Sequence, residues 1–132
     1  MREILFRGKR KDNGELVYGY LYIRNDGQYE ISFYSKYFDS ERFTYDVIPE
    51  TVGQYIGLTD KNGKKIFEGD IIERLWLGEK HIYRIHYDSD IASFIGADIY
   101  SEGFTTFDYD ACEFEVIGNI YDNPEFLLNY NK

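Results

Sequence analysis

Apolar and polar side chains alternate with a period of two along most of this chain, which predicts short β-strands separated by turn-forming residues. Ile4 to Arg7 is a short apolar run, Asp12-Asn13-Gly14 is a tight turn because Asn and Gly accept positive φ, and Leu16 to Ile23 completes a hairpin. In that second run Leu16, Tyr18, Tyr20 and Tyr22 share one face, and Val17, Gly19, Leu21 and Ile23 the other. Both faces are apolar or aromatic, so cover on both sides is expected. Gly19 marks a close backbone approach or a bulge. After Asn25-Asp26-Gly27, the run Gln28 to Tyr34 sets Tyr29, Ile31 and Phe33 against Glu30, Ser32 and Tyr34. Tyr37 to Glu41 has no period and reads as a loop. Arg42 to Ile48 alternates again through Phe43, Tyr45 and Val47, and Pro49 ends it.

Further along, Thr51 to Leu58 is a strand interrupted by Gly53 and Gly57, and Asp60-Lys61-Asn62-Gly63 turns it into Lys65-Ile66-Phe67. Glu68-Gly69-Asp70 launches Ile71 to Leu77, and Leu77-Gly78-Glu79-Lys80 turns that strand into His81 to Tyr87. Shorter strands follow at Ala92 to Tyr100, Phe104 to Tyr109 and Phe114 to Tyr121. One helix is expected, Pro124 to Tyr130. Asn123 can accept from its first free amides, Pro124 suits its first position and Glu125 suits its positive end.

Short strands at this spacing predict a mainly β protein. A strand launched from Gly-Asp, several antiparallel strands and a short terminal helix are similar to SH3-like small barrels. The expected organisation is a β-hairpin and meander region over residues 1–50 and an SH3-like barrel over 51–132, packed as one unit.

Two segments carry a family resemblance. Ile56 to Ile72, with Gly57, Asn62, Gly63, Gly69 and Asp70, and Glu115 to Leu127, with Gly118, Asn119 and Pro124, together resemble the signature of the YopX family. Arg2 to Gly8, Asp12-Asn13-Gly14 and Tyr18-Gly19-Tyr20 are similar to that family's N-terminus. The resemblance implies a small accessory protein carried by phages and prophages of bacteria, with no defined biochemical activity. The eight named matching residues read as turn, bulge or cap positions rather than as catalytic ones.

Composition changes the picture in two ways. With 14 Tyr and 10 Phe in 132 residues, aromatic supply exceeds what a small core needs, and the surplus points to association surfaces. The formal charge of −9 is unevenly spread, because residues 1–66 hold 11 Lys+Arg and 10 Asp+Glu while residues 67–132 hold 4 and 14. An acidic second half repels phosphate backbones, so no direct nucleic-acid partner is expected, and the opposed halves could attract neighbouring copies. One cysteine, Cys112, cannot form an internal bridge, and no signal-like or membrane-spanning apolar run occurs, so a cytoplasmic location in a bacterial host is expected.

Candidate chemistry is thin. Asp88-Ser89-Asp90 and Asp108-Tyr109-Asp110 lack the remaining ligands of a calcium loop. His81 and His86 lie five apart on one predicted strand and face opposite ways. Cys112 sits beside Asp110, Glu113 and Glu115, whose charge raises rather than lowers a thiol pKa. Gly63-Lys64-Lys65 has the wrong spacing for a nucleotide loop. No catalytic residue, metal or cofactor is therefore expected. The favoured reading is a non-catalytic, self-associating interaction module that docks on a host or phage protein. The alternative is an acidic regulator or DNA mimic binding a host nucleic-acid-binding protein, for which Asp88, Asp90, Asp98, Glu102, Asp108, Asp110, Glu113 and Glu115 would have to project from one surface.

Overall fold

The computed structural model describes residues 2–35, 41–107 and 113–130. Its strands fall into two antiparallel sheets, and the chain divides into two units, residues 1–55 and 56–132. The loop expected from Tyr37, and the end of the strand expected at Phe104 to Tyr109, lie in part outside the described residues, as do Asp108, Asp110 and Cys112.

The first unit contains β1 (Phe6–Lys9), β2 (Leu16–Ile23), β3 (Tyr29–Tyr34), β4 (Arg42–Val47), a 3₁₀ turn at Pro49–Thr51 and the start of β5 (Gly53–Thr59). Within it the strand order is β4-β3-β2-β1-β5. Pairing begins at Phe6 rather than Ile4, which is half exposed. On the inner face Ile31 and Val47 are fully buried, and Phe33 stacks on Phe43 at 5.6 Å and on Tyr45 at 5.9 Å. The Thr51 hydroxyl donates to the Ile48 carbonyl and accepts from the Lys9 amide, which pins the 3₁₀ turn to β1.

At Gly19 the backbone of β2 lies against that of β3. A Cβ there would lie 2.1 Å from the Ser32 carbonyl oxygen, so only glycine fits without moving backbone. The expectation that β2 is covered on both sides fails. Tyr20 and Tyr22 are 61% and 60% exposed, and Tyr18 is 44% exposed. The register explains it, because their neighbours on that face are Ser32 and Glu30 of β3 and then Thr44 and Asp46 of β4. Polar neighbours build no second apolar layer, and a phenol keeps its hydroxyl wet.

The second unit holds the rest of β5, β6 (Lys65–Phe67), β7 (Asp70–Trp76), β8 (Glu79–Asp88), β9 (Ser93–Asp98), β10 (Phe104–Thr105), β11 (Glu115–Asn119) and α1 (Glu125–Tyr130). Its five-stranded sheet runs β10-β9-β8-β7-β11. Ile66, Ile72, Tyr83, Ile85 and Phe114 form the core, with Ile56, Leu58, Phe107 and Val116 packed around it. Here the closed SH3-like barrel expected over residues 51–132 does not form. Among the described residues β10 and β11 stand at opposite edges of an open sheet, and β10 is two residues long with Phe104 exposed. Closure requires edge strands that meet over several residues, and alternation specifies a strand's faces without specifying its neighbours. No helix among the described residues is long and apolar enough to cross a membrane.

Asp60 ties the second unit together. It is 5% exposed and directly follows β5, where its Oδ1 accepts from the Asn62 and Lys64 amides and its Oδ2 accepts from the Val116 amide of β11. The Lys61 amide donates to the Phe114 carbonyl, and Lys61 and Asn62 side chains both reach Glu115 at 3.4 Å. One turn therefore sets where β11 begins. β11 then carries a bulge at Ile117, since Val116 pairs with Ile72 and Gly118 with the adjacent Ile71.

The capping role expected of Asn123 is also revised. Its Oδ1 accepts from the Asn119 amide at 3.2 Å, turning back to β11 instead of forward to the helix. Gly118 makes room for it, because a Cβ there would lie 2.3 Å from that oxygen. Asn119 serves the same corner, accepting from the Tyr121 and Asp122 amides on its Oδ1.

Two outcomes test this account. Gly19→Ala should lower the stability of the folded chain by about 1–3 kcal/mol through overpacking, read by denaturant unfolding. For Asp60, burial opposes ionisation, but the amide donations from Val116, Lys64 and Asn62 outweigh it and hold the pKa below its ordinary 3.8. A depressed carboxylate contributes stability that is complete above the unfolded value and is lost as pH falls through the folded one. Asp60→Asn presents an amide in place of one accepting oxygen, so it should cost about 1–3 kcal/mol at neutral pH and flatten the acid limb of the stability curve below pH 3.8. An unchanged acid limb would show that Asp60 is not the group responsible.

Candidate functional site

The β7–β8 hairpin closes through a two-residue turn, because Trp76 pairs directly with Glu79 across Leu77 and Gly78. Both turn residues have positive φ, 51° at Leu77 and 81° at Gly78, as a type I′ turn requires. Gly or Asn suits such a position, whereas a side chain like leucine crowds its own carbonyl there. The expected four-residue turn Leu77-Gly78-Glu79-Lys80 is thus shorter, with Glu79 and Lys80 already in β8.

What this turn displays is apolar. Leu77 is 88% exposed, Leu75 72% and Trp76 49%. Alternation puts Trp76, Arg74 and Ile72 on one face of β7, so the stripe that forms the core continues outward to the hairpin tip. The Arg74 guanidinium bridges the two ends, 5.0 Å from the Phe114 ring and 5.2 Å from the Trp76 ring. It also meets Glu113 at 3.8 Å, while Lys80 meets Glu73 at 3.8 Å. These residues and Lys61 line a concavity of about 570 Å³ at the base of the tip. Cation–aromatic contact and paired charges stiffen the base, and the apolar tip remains solvent-facing.

The residues singled out from sequence are placed as follows. Gly57, Gly63 and Gly69 have φ of 93°, 82° and 89°, and Asn62 donates its amide to Asp60. Asp70 is 1% exposed and accepts from the Phe67 amide, closing the turn through Gly69. Gly118, Asn119 and Pro124 lie at the junction of β11 and α1. Of the acids, Asp88 and Asp90 sit at the β8–β9 turn, where Asp88 accepts from the Asp90 amide. Asp98 ends β9 and accepts from the Tyr100 amide, with Glu102 in the following connection. Glu113 and Glu115 are ion-paired with Arg74 and Lys61. The described acids thus occupy both ends of β9, the connection after it and the start of β11, while Asp108 and Asp110 lie outside the described residues.

His81 and His86 both lie on β8. The His81 ring stacks on Tyr83, whereas burial, followed by the positive charge of Arg84, pushes the His86 pKa down. No cluster of three or more metal-binding side chains occurs among the described residues. Sequence reading missed two features. Asp60 was legible as an Asx turn, since an Asp two residues before Asn-Gly can accept from the amides that follow. The hairpin tip was legible as Leu-Gly standing where Asn-Gly is the usual pair.

A family model described as YopX protein matches residues 5–128. Among solved structures, the crystal structure of protein EF1440 from Enterococcus faecalis is similar in fold. Its TM-score is 0.56 at 20% identity, and the match covers 96% of this chain and 99% of that one. The search of curated proteins gives no match.

Proposed function

This chain belongs to the YopX family, and on that premise we propose that it is a phage- or prophage-type accessory protein acting in the bacterial cytoplasm as a non-catalytic, self-associating interaction module, with the β7–β8 tip as its contact element. The observation that carries the reading is Leu77, 88% exposed at φ 51°. A left-handed backbone at a residue other than glycine or asparagine costs about 1–2 kcal/mol, and an exposed leucine returns nothing for it in an isolated molecule. Burial of Leu75, Trp76 and Leu77 against a second copy would return it.

Charge supports the same partner. The base of the tip carries both signs, Arg74 with Glu113 and Lys80 with Glu73. Two tips related by a two-fold axis can therefore exchange opposite charges, which a single-sign patch cannot do.

The test exploits the strain. Leu77→Asn places a residue that accepts positive φ in the turn and removes the apolar tip. The folded chain should gain about 0.5–1 kcal/mol in stability, while sedimentation velocity should show monomer at concentrations where the parent chain associates. If Leu77→Asn and Leu75→Ser both leave the sedimentation profile unaltered, the tip is not the contact.

A further inference from the structure

A second exposed surface lies wholly within the first unit and has different chemistry. Tyr20 and Tyr22 project from one face of β2, about 7 Å apart along the strand, and Tyr34 projects from β3 on the same side; all three are 60–61% exposed. They border a shallow concavity of about 460 Å³ whose remaining walls include Glu30, Ser32, Arg42 and Thr44. The Ser32 and Thr44 hydroxyls lie 2.9 Å apart at its centre, one cross-strand pair between the tyrosines and the β4 edge.

We propose that this face binds a neutral oligosaccharide. The aromatic rings offer flat negative π-surfaces, against which the polarised C–H groups of a pyranose face can lie. Around them stand groups matched to sugar hydroxyls: phenols and aliphatic hydroxyls that both donate and accept, a carboxylate that accepts, and a guanidinium that donates. Rings repeated along one strand suit a ligand that repeats along its own length.

The competing ligand classes are disfavoured by the same residues. A polyanion finds Arg42 and, beside Tyr22, an Arg24 already ion-paired with Asp26 at 3.0 Å and Glu30 at 3.9 Å, in a unit whose sequence holds 8 Lys+Arg and 9 Asp+Glu. An added peptide strand needs free backbone groups, yet β2 and β3 are each paired on both sides. An apolar protein anchor needs a deep dry pocket, and this floor is hydroxylated.

The experiment is a titration of the full isotope-labelled chain with cellotetraose, maltotetraose and chitotetraose, followed by amide chemical shifts. At least one sugar should perturb Tyr20, Tyr22 and Tyr34 with a dissociation constant below about 1 mM. The double variant Tyr20→Ala, Tyr22→Ala should weaken that sugar by about tenfold or more with unchanged circular dichroism, and Tyr20→Phe should retain it. Leu77→Asn should leave sugar binding intact, which separates this site from the hairpin tip. Absence of localised shifts with all three sugars at about 10 mM would overturn the proposal. So would shifts at these tyrosines produced by an oligothymidylate, or by protein concentration alone, without any produced by sugar.

Discussion

A single buried carboxylate sets the geometry of the second unit. Asp60 follows directly on β5, shapes the turn there and holds the Val116 amide of β11, so a short-range turn and a contact from more than fifty residues away meet on the same two oxygens. A neutral side chain could satisfy the turn or the strand, but an ionised carboxylate accepts from all three amides at once. Desolvation works against the charge and the donors outweigh it. Because β11 is placed by this contact, so are its bulge and the Asn119–Asn123 corner that leads into α1.

With β11 held on one side of β7, the far end of β7 is left to the hairpin alone. The sheet there thins to two strands, and the core stripe of Ile72 continues through Arg74 to Trp76 without a covering layer. Arg74 stacked between Phe114 and Trp76 makes that extension stiff. A strained leucine at the tip then presents its side chain outward. Across the other unit the tyrosines of β2 and β3 are exposed for a different reason, which is that the positions facing them are polar. One surface is a projecting apolar point, the other a flat amphipathic floor, and they suit different partners.

Much of the local architecture was legible in the sequence. Leu16 to Ile23 forms β2 as its alternation predicts, Gly19 marks a close approach, Asp60 to Gly63 turns the chain, and the terminal helix lies at Glu125–Tyr130, within the predicted span. These follow from φ preferences and the two-residue period, which are properties of neighbours in sequence. What was not legible depends on neighbours in space. The exposure of Tyr20 and Tyr22 follows from Ser32 and Glu30 lying opposite, the missing barrel closure from the two-residue β10, and the turn of Asn123 toward Asn119 from the room left at Gly118. The candidate tip fell between these cases, since its Leu-Gly pair is local but its meaning lies in what it fails to bury.

The extra residue at Ile117 works as a phase shifter. Before it, the strand keeps step with the Asp60 turn; after it, the alternation is advanced by one, and Asn119 faces the corner that leads into the helix. One strand thereby obeys two clocks, and the span from the start of β11 to Asn123 is held in length by the bulge and in residue identity at Gly118, where a Cβ would meet the Asn123 oxygen. A residue added or removed between the start of β11 and Asn123 would put the Asp60 contact and the Asn119–Asn123 corner out of step with each other.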